Sequence, residues 1–400
     1  MVTPVTPWGS FGGTATVSRN LIGLLSQHVD LHVCCLRSDE PGAYPRRHKG
    51  TTVLSGKVPS LKRRMKVLFD FRPESFADRQ FQRGKVLASF AELLAAQRPQ
   101  FVIFDHVYSS WLIEVVKDPE IIVAYIAHDD MVAYADSLIG MKPGRLMKVR
   151  FAWLRSQYCS LQKKILRRSE FLLTLTADDA ALLGKTYGQG PTDVVPLYFD
   201  LPSFIREYTA NFDNLLVTGS FDTWEKQKGL AVFLETIFMP LVRMLPDLRL
   251  IIAGRFPGAF GRKLSLMPFL KIINGPSEIE MREIFHRASA AAVLDLQASG
   301  LKIKTIELAA AGLPLVSWAP GLEGTKLIDG RSCLLAHSTT EFIGHLARLF
   351  SDPESRRQLG TAARRAIETE FSRKTASARL KKLKFFDALA TAGAVRPASS

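Results

Sequence analysis

Residues 290–318 run "AAAVLDLQASGLKIKTIELAAAGLPLVSW". The apolar opening is the composition of a strand covered on both faces, as in parallel sheets. A short loop follows to Gly300, then an Ala/Leu-rich helix that stops at Gly312. "LPLVSW" begins the next strand, so the stretch is strand, loop, helix, strand. In such sheets ligands bind beyond the carboxyl ends of the strands, which is where this loop lies. Gly300 lets backbone approach a ligand closely, and the first free N–H groups of the helix attract an anion. Lys304 adds a mobile positive charge suited to a diphosphate. Glu307 follows about one turn later on the same face, where a carboxylate can accept hydrogen bonds from ribose hydroxyls. The same spacing also describes a solvated helical ion pair worth roughly a few tenths of a kcal/mol.

The pattern repeats along the chain. Strand-length apolar runs in the first half are "VTPV", "VDLHVCCL", "FVIF", "IIVAYIA" and "FLLTLT"; in the second half they are "NLLVTG", "LRLIIAG", "LKIING", "AAAVLDL" and "LPLVSW". Helical periodicity separates them, and "TATVSRNLIGLLSQ" places Val17, Leu21, Leu24 and Leu25 on one face. The expected fold class is α/β, with two Rossmann-like, doubly wound parallel-sheet domains. Pro196 and Pro202 interrupt the periodicity before a fresh strand. The expected boundaries are 1–199 for the first domain and 200–372 for the second. A C-terminal helix and tail over 373–400 are expected to pack back on the first domain.

Composition excludes several classes. Apolar residues are 47% and charged residues 23%, as in ordinary globular proteins, and no apolar run approaches the roughly 20 residues that span a bilayer. "MVTPVTPWGS" has no basic region ahead of an apolar core, so no secretory signal is expected. Cys34, Cys35, Cys159 and Cys333 match neither a zinc pattern nor a disulfide framework, which fits a cytoplasmic chain. The net charge of +15 favours anionic partners. Nine of these Lys and Arg residues fall in "KPGRLMKVRFAWLRSQYCSLQKKILRR", 142–168, which has no acid; "KVPSLKRRMK", 57–66, is a second cluster. Basic residues interleaved with Leu, Met, Val and Trp suit the inner face of an anionic membrane, or simply a solvated face. With no nucleic-acid-binding motif, no nucleic acid partner is expected.

"KTIELAAAGLPLV", Lys304 to Val316, resembles the signature of the retaining glycosyltransferases of family 4, also called glycosyl transferases group 1. The resemblance implies the GT-B fold, two such domains facing across a cleft, and no cofactor. It implies transfer of a sugar, with retention, from a nucleotide-diphosphate sugar to a saccharide or lipid-linked hydroxyl, in cell-surface polysaccharide synthesis. Donor contacts are then expected from Ser299, Gly300, Leu301, Lys304 and Glu307. Ser299 stands where the family often has a glutamate, as in a branch with a serine- or glycine-rich loop. "LLVTGSFDTWEKQKG" resembles the family's phosphate-clamp strand and helix, which assigns Gly219, Ser220 and Lys228. Ser220 replaces a usual arginine, and Arg255, past "LRLIIAG", is the candidate substitute. Gly275 and Pro276 in "LKIINGPSE" are candidate base contacts, and Gly12 and Gly13 resemble the glycine-rich first loop. His128, directly after "IIVAYIA", resembles the active-site histidine, with His106 a rival.

No Asp-x-Asp occurs, so no metal ligand set is expected. Helix N-termini and lysines would stabilise the leaving diphosphate. The departures at Ser220 and Ser299 motivate a second reading, a GT-B scaffold without catalysis. A nucleotide-sugar epimerase is a third. A dinucleotide enzyme fits poorly, because "WGSFGG" lacks the G-x-G-x-x-G spacing.

Overall fold

The computed structural model describes residues 1–4, 13–37, 50–55, 83–187, 192–199, 214–264, 267, 269–296 and 300–395. They divide into two compact units. One comprises Met1–Leu197 with Ala376–Ser400, and the other Tyr198–Thr375.

The first unit holds a seven-stranded sheet: β1 Val2–Thr3, β2 Val33–Arg37, β3 Thr51–Ser55, β4 Phe101–Asp105, β5 Ile122–Ala127, β6 Phe171–Thr174 and β7 Thr192–Val194. Their order is β3-β2-β1-β4-β5-β6-β7, with every pairing parallel. The second unit holds six: β8 Asn214–Ser220, β9 Arg249–Arg255, β10 Leu270–Asn274, β11 Ala290–Val293, β12 Leu315–Ser317 and β13 Leu334–Leu335. These run β10-β9-β8-β11-β12-β13, also all parallel. Each sheet is therefore the doubly wound arrangement. Strand order reverses between β1 and β4, and again between β8 and β11, and these reversals open the ligand crevices of such sheets.

The apolar runs became strands inside the sheets, except "LKIING", which forms the edge strand β10. The short strands β3, β7 and β13 were not legible as such. Each sits at a sheet edge, is two to five residues long, and carries polar residues or polar flanks, as in "TDV" and "TTVLS". An edge strand has less surface to bury and so less apolar signal.

Helices cover the faces. Gly13–Leu25 buries Ala15, Val17, Ser18, Leu21, Ile22, Leu24 and Leu25. The first core gathers Trp111, Phe90, Phe104 and Tyr125; the second gathers Phe233, Phe238, Leu241 and Phe342. The helix Lys384–Thr391 belongs to the first unit. Its Phe385 ring meets those of Phe101 and Phe171, at 6.1 and 5.6 Å, and its backbone N–H donates to Asp193 at 2.8 Å. Phe101 and Phe171 begin their strands, so this helix packs at the amino-terminal edge of the sheet.

The helix Ile303–Ala310 ends as its sequence requires. Gly312 has φ 71°, its N–H reaches the Ala309 carbonyl at 2.9 Å, and Leu313 N–H reaches Leu308 at 3.1 Å. That paired 5→2 and 6→1 closure is a Schellman cap. In the helix from Trp224 to Met244, a π turn over Leu234–Phe238 precedes Pro240. Proline lacks the N–H for the regular bond and crowds the preceding carbonyl, and the wider turn absorbs both effects.

Candidate functional site

Two clusters lie at the carboxyl edges, one in each unit. In the first, Asp105 ends β4 at the strand-order reversal and is fully buried. Its Oδ1 lies 2.6 Å from Nε2 of His128, the residue directly after β5, and its Oδ2 accepts the hydroxyl of Ser18 from the first helix. A carboxylate withdrawn from water needs such donors. His106, next in sequence to Asp105, takes φ 67° and is also buried. Its Nδ1 accepts the Tyr108 N–H at 3.3 Å, and its ring stands edge-on to His128 with centroids 5.0 Å apart. Burial holds the His106 imidazole well below its usual pKa, and the neighbouring His128 adds to the effect, so this ring stays neutral. A non-glycine residue at positive φ is costly and clusters at functional sites. Asp130 instead caps the helix Met131–Gly140, accepting from Val132 and Ala133 at 2.9 and 3.3 Å.

In the second cluster the ends of β8 and β9 come unusually close. Gly254 has φ 153°, and a Cβ there would lie 1.6 Å from the Gly219 carbonyl oxygen. Immediately beyond, Ser220 and Arg255 are register partners across the strands. Arg255 Nη2 donates to Ser220 Oγ at 3.2 Å, its Nε lies 3.3 Å from Asp222 Oδ2, and Ser220 Oγ donates to that oxygen at 2.7 Å. The guanidinium thus stands beside the position where the family pattern has an arginine, supplied from the adjacent strand.

Lys226 keeps solvent contact, yet its ammonium is held below the ordinary lysine value, first by desolvation and second by the positive charge of Lys304. Asp295, just past β11, with Glu225 and Asp222, opposes the shift. A second positive charge near an ammonium disfavours its charged form, and a nearby anion would oppose that effect. Lys228, the lysine singled out from sequence, is exposed and lies over the Trp224 ring at 5.0 Å. On one helix, residues two apart point about 200° from each other, so only one of this pair can face Lys304.

The remaining candidates fall as follows. Gly300 is buried at φ 68°; Leu301, Lys304 and Glu307 are half-buried on the loop and first turns behind it. Thr305, between those two charged residues, ties the helix down by donating to the Gly321 carbonyl at 2.7 Å. Gly275, at φ 63°, and buried Pro276 precede the capping box Ser277–Glu280. Gly13 is the exposed first residue of its helix. Gly12, Ser299 and the 57–66 cluster lie outside the described residues. Sequence reasoning missed Lys226, Asp295, Ser18 and Asp105. The only advance signal was a lone carboxylate closing an apolar strand, in "FVIFDH" and "AAAVLDL".

The basic segment forms the helix Arg145–Leu166. Its far end is used internally, with Lys164 paired to Glu114 at 3.3 Å and Arg168 donating to the Val116 carbonyl at 2.7 Å. At its near end Leu146 is 85% exposed and Val149 67%, among exposed Lys142, Arg145, Lys148 and Arg150. Among the described residues no helix is long and apolar enough to cross a membrane, and no group of three or more His, Cys, Asp or Glu is arranged to hold a metal ion.

The fold is that of the GT-B glycosyltransferases. Sucrose-phosphate synthase from Thermosynechococcus elongatus superposes with a TM-score of 0.74 at 16% identity, covering 98% of this chain and 99% of that one. WaaG, a glycosyltransferase involved in lipopolysaccharide biosynthesis, gives 0.64 at 16% identity, covering 96% and 100%. HepE of Anabaena, in complex with UDP-glucose, gives 0.65 at 12% identity, covering 95% and 98%. In sequence, residues 213–352 match the family model described as Glycosyl transferases group 1. A protein of Klebsiella pneumoniae described as an uncharacterized 44.6 kDa protein in the cps region is 21% identical over 225 residues. That match spans 55% of this chain and 57% of the relative.

Proposed function

We propose that the chain is a glycosyltransferase that moves a sugar from a nucleotide-diphosphate sugar to a hydroxyl of a saccharide or lipid-linked acceptor, with retention. The observation that carries this reading is that the helices following β8 and β11, the two strands at the strand-order reversal, each bring a lysine into their first turn, Lys226 and Lys304. Their charge would meet the diphosphate, with the backbone of Gly219, Gly300 and Leu301 close by. Arg255, beside Ser220, completes the clamp, and Lys228 adds charge from the outer face of its helix. Glu307 would hold the ribose, Gly275 and Pro276 the base, and Ser299 the loop contact to the sugar. His128 would contact a sugar hydroxyl, and Gly12 and Gly13 a phosphate. The leaving phosphate would take the acceptor proton in a same-face displacement, since no carboxylate is assigned as a nucleophile. Fixed cationic groups supply the stabilisation of developing charge that such a step needs, without a metal or cofactor.

HepE in complex with UDP-glucose supports a hexose donor, and WaaG, involved in lipopolysaccharide biosynthesis, supports a cell-surface polysaccharide acceptor. The exposed Leu146 and Val149, ringed by basic residues, support peripheral contact with the inner face of an anionic membrane from the cytoplasm. A panel of UDP-, GDP- and ADP-sugars, assayed for hydrolysis without acceptor, tests the reading. Turnover of one donor and its loss in Glu307→Ala is expected. A folded protein that binds no nucleoside diphosphate in calorimetry would instead leave a scaffold. Release of an epimer without any acceptor would indicate the epimerase.

A further inference from the structure

The first-unit cluster contains more than a histidine. Asp105 is fully buried and has two oxygens to satisfy. Oδ2 takes the Ser18 hydroxyl, whose other neighbour is the Thr14 carbonyl at 2.9 Å. Oδ1 faces His128 Nε2 at 2.6 Å. An ionised carboxylate only accepts, so Nε2 must carry its hydrogen. A neutral imidazole has one N–H and one lone pair, and binding Nε2–H therefore leaves the lone pair on Nδ1. His106 takes the same tautomer by the other nitrogen: its Nδ1 accepts a backbone N–H, which leaves Nε2 as its donor. The two rings stand edge to face with different nitrogens committed.

We propose that Asp105 is a positioning residue for His128, holding the ring by its Nε2–H so that Nδ1, with its lone pair, is the nitrogen offered to a substrate hydroxyl. Ser18 fixes Asp105 in turn. This rests on the glycosyl-transfer reading only for the identity of the hydroxyl; the tautomer follows from the protein alone. A carboxylate or carbonyl behind a histidine sets ring orientation and the identity of the working nitrogen in many sites. Here the sheet provides that partner from the neighbouring strand end.

Histidine-selective nitrogen-15 labelling, with His128→Gln to assign the resonance, reads the tautomer in the whole protein without substrate. Wild type is expected to show His128 protonated at Nε2 and unprotonated at Nδ1 near neutral pH. A His128 signal protonated at Nδ1, with Nε2 either bare or also protonated, would overturn the proposal, whatever the activity. In Asp105→Ala the bias is expected to vanish, with kcat down about 10- to 100-fold, the loss seen when partners that orient metal-bound histidines are removed, and the donor KM little changed. Asp105→Asn, which keeps an acceptor oxygen, is expected to recover part of both. If Asp105→Ala does not fold, Ser18→Ala takes its place, with a weaker bias and a smaller kcat loss. An unchanged tautomer and unchanged kcat in a folded variant would also refute it. A wild-type protein with the expected tautomer but no transfer would sink the glycosyltransferase reading and leave this one standing.

Discussion

Gly219 and Gly254 are backbone to backbone: the α-carbon of Gly254 so closely faces the Gly219 carbonyl that a Cβ would stand 1.6 Å from its oxygen. No side-chain rotation can relieve that overlap. The approach brings the ends of β8 and β9 together and sets Ser220 beside Arg255. Gly254→Ala should therefore destabilise the protein by more than about 3 kcal/mol, as strained and overpacked positions do. Gly275→Ala, where a Cβ meets nothing within 4 Å but φ is 63°, should cost only about 1–2 kcal/mol. Urea unfolding of the two variants checks the ranking, and equal midpoints would contradict it.

Desolvation, and after it the positive charge of Lys304, holds the Lys226 ammonium below its ordinary pKa. Lys304→Met should raise the Lys226 pKa toward its ordinary value while weakening UDP binding at least about tenfold, or roughly 1.4 kcal/mol. Lys226→Met should weaken it comparably, and Lys228→Met clearly less. Titration calorimetry decides. An effect of Lys228→Met larger than that of Lys226→Met would show that the wrong lysine has been placed at the site.

His106 lies well below the usual histidine pKa when folded. Unfolded, it titrates near about 6.5. As pH falls through and below that value the unfolded chain takes up a proton that the native chain refuses, so stability declines toward acid by up to about 1.4 kcal/mol per pH unit. His106→Asn, which tolerates the positive φ, should flatten the loss between about pH 6.5 and 5. His28 and His32 shift in the same direction, so part of the slope should remain. Thermal midpoints across that range supply the test.

Burial pushes the Cys34 and Cys333 thiols up to about 12 and raises that of Cys35. Cys159 is partly exposed. Since the thiolate is the reactive form, Ellman's reagent at mildly alkaline pH should modify only Cys159 in the native protein and all four after unfolding. Rapid modification of more than one thiol before unfolding would show that the cores open readily.

Leu146 and Val149 project among four exposed basic residues. The protein should float with anionic vesicles at about 0.15 M salt, helped by about 1 kcal/mol for each basic residue near the surface. Leu146→Gln with Val149→Gln should reduce flotation and leave hydrolysis of a soluble donor unchanged. Equal flotation of wild type and the double variant would remove this surface from consideration.

Much was settled by local sequence. Near-continuous apolar runs such as "IIVAYIA" and "LRLIIAG" can be satisfied only between two covering layers, so they specified central parallel strands. Gly312 specified its helix end, because only a residue without a Cβ takes that cap at no cost. That a glycine, two lysines and a helix start adjoin in "GLKIKTIE" was likewise legible, since they are neighbours in the chain. Which lysine faces Lys304 was not, because helical phase against a second element separates Lys226 from Lys228. Nor was the partnership of Ser18, Asp105 and His128, whose members lie 87 and 23 residues apart in the chain. Strand order brings them together, and strand order depends on how separate segments pack. A motif records what adjacent residues can do; only the folded sheet decides which distant side chains share a proton.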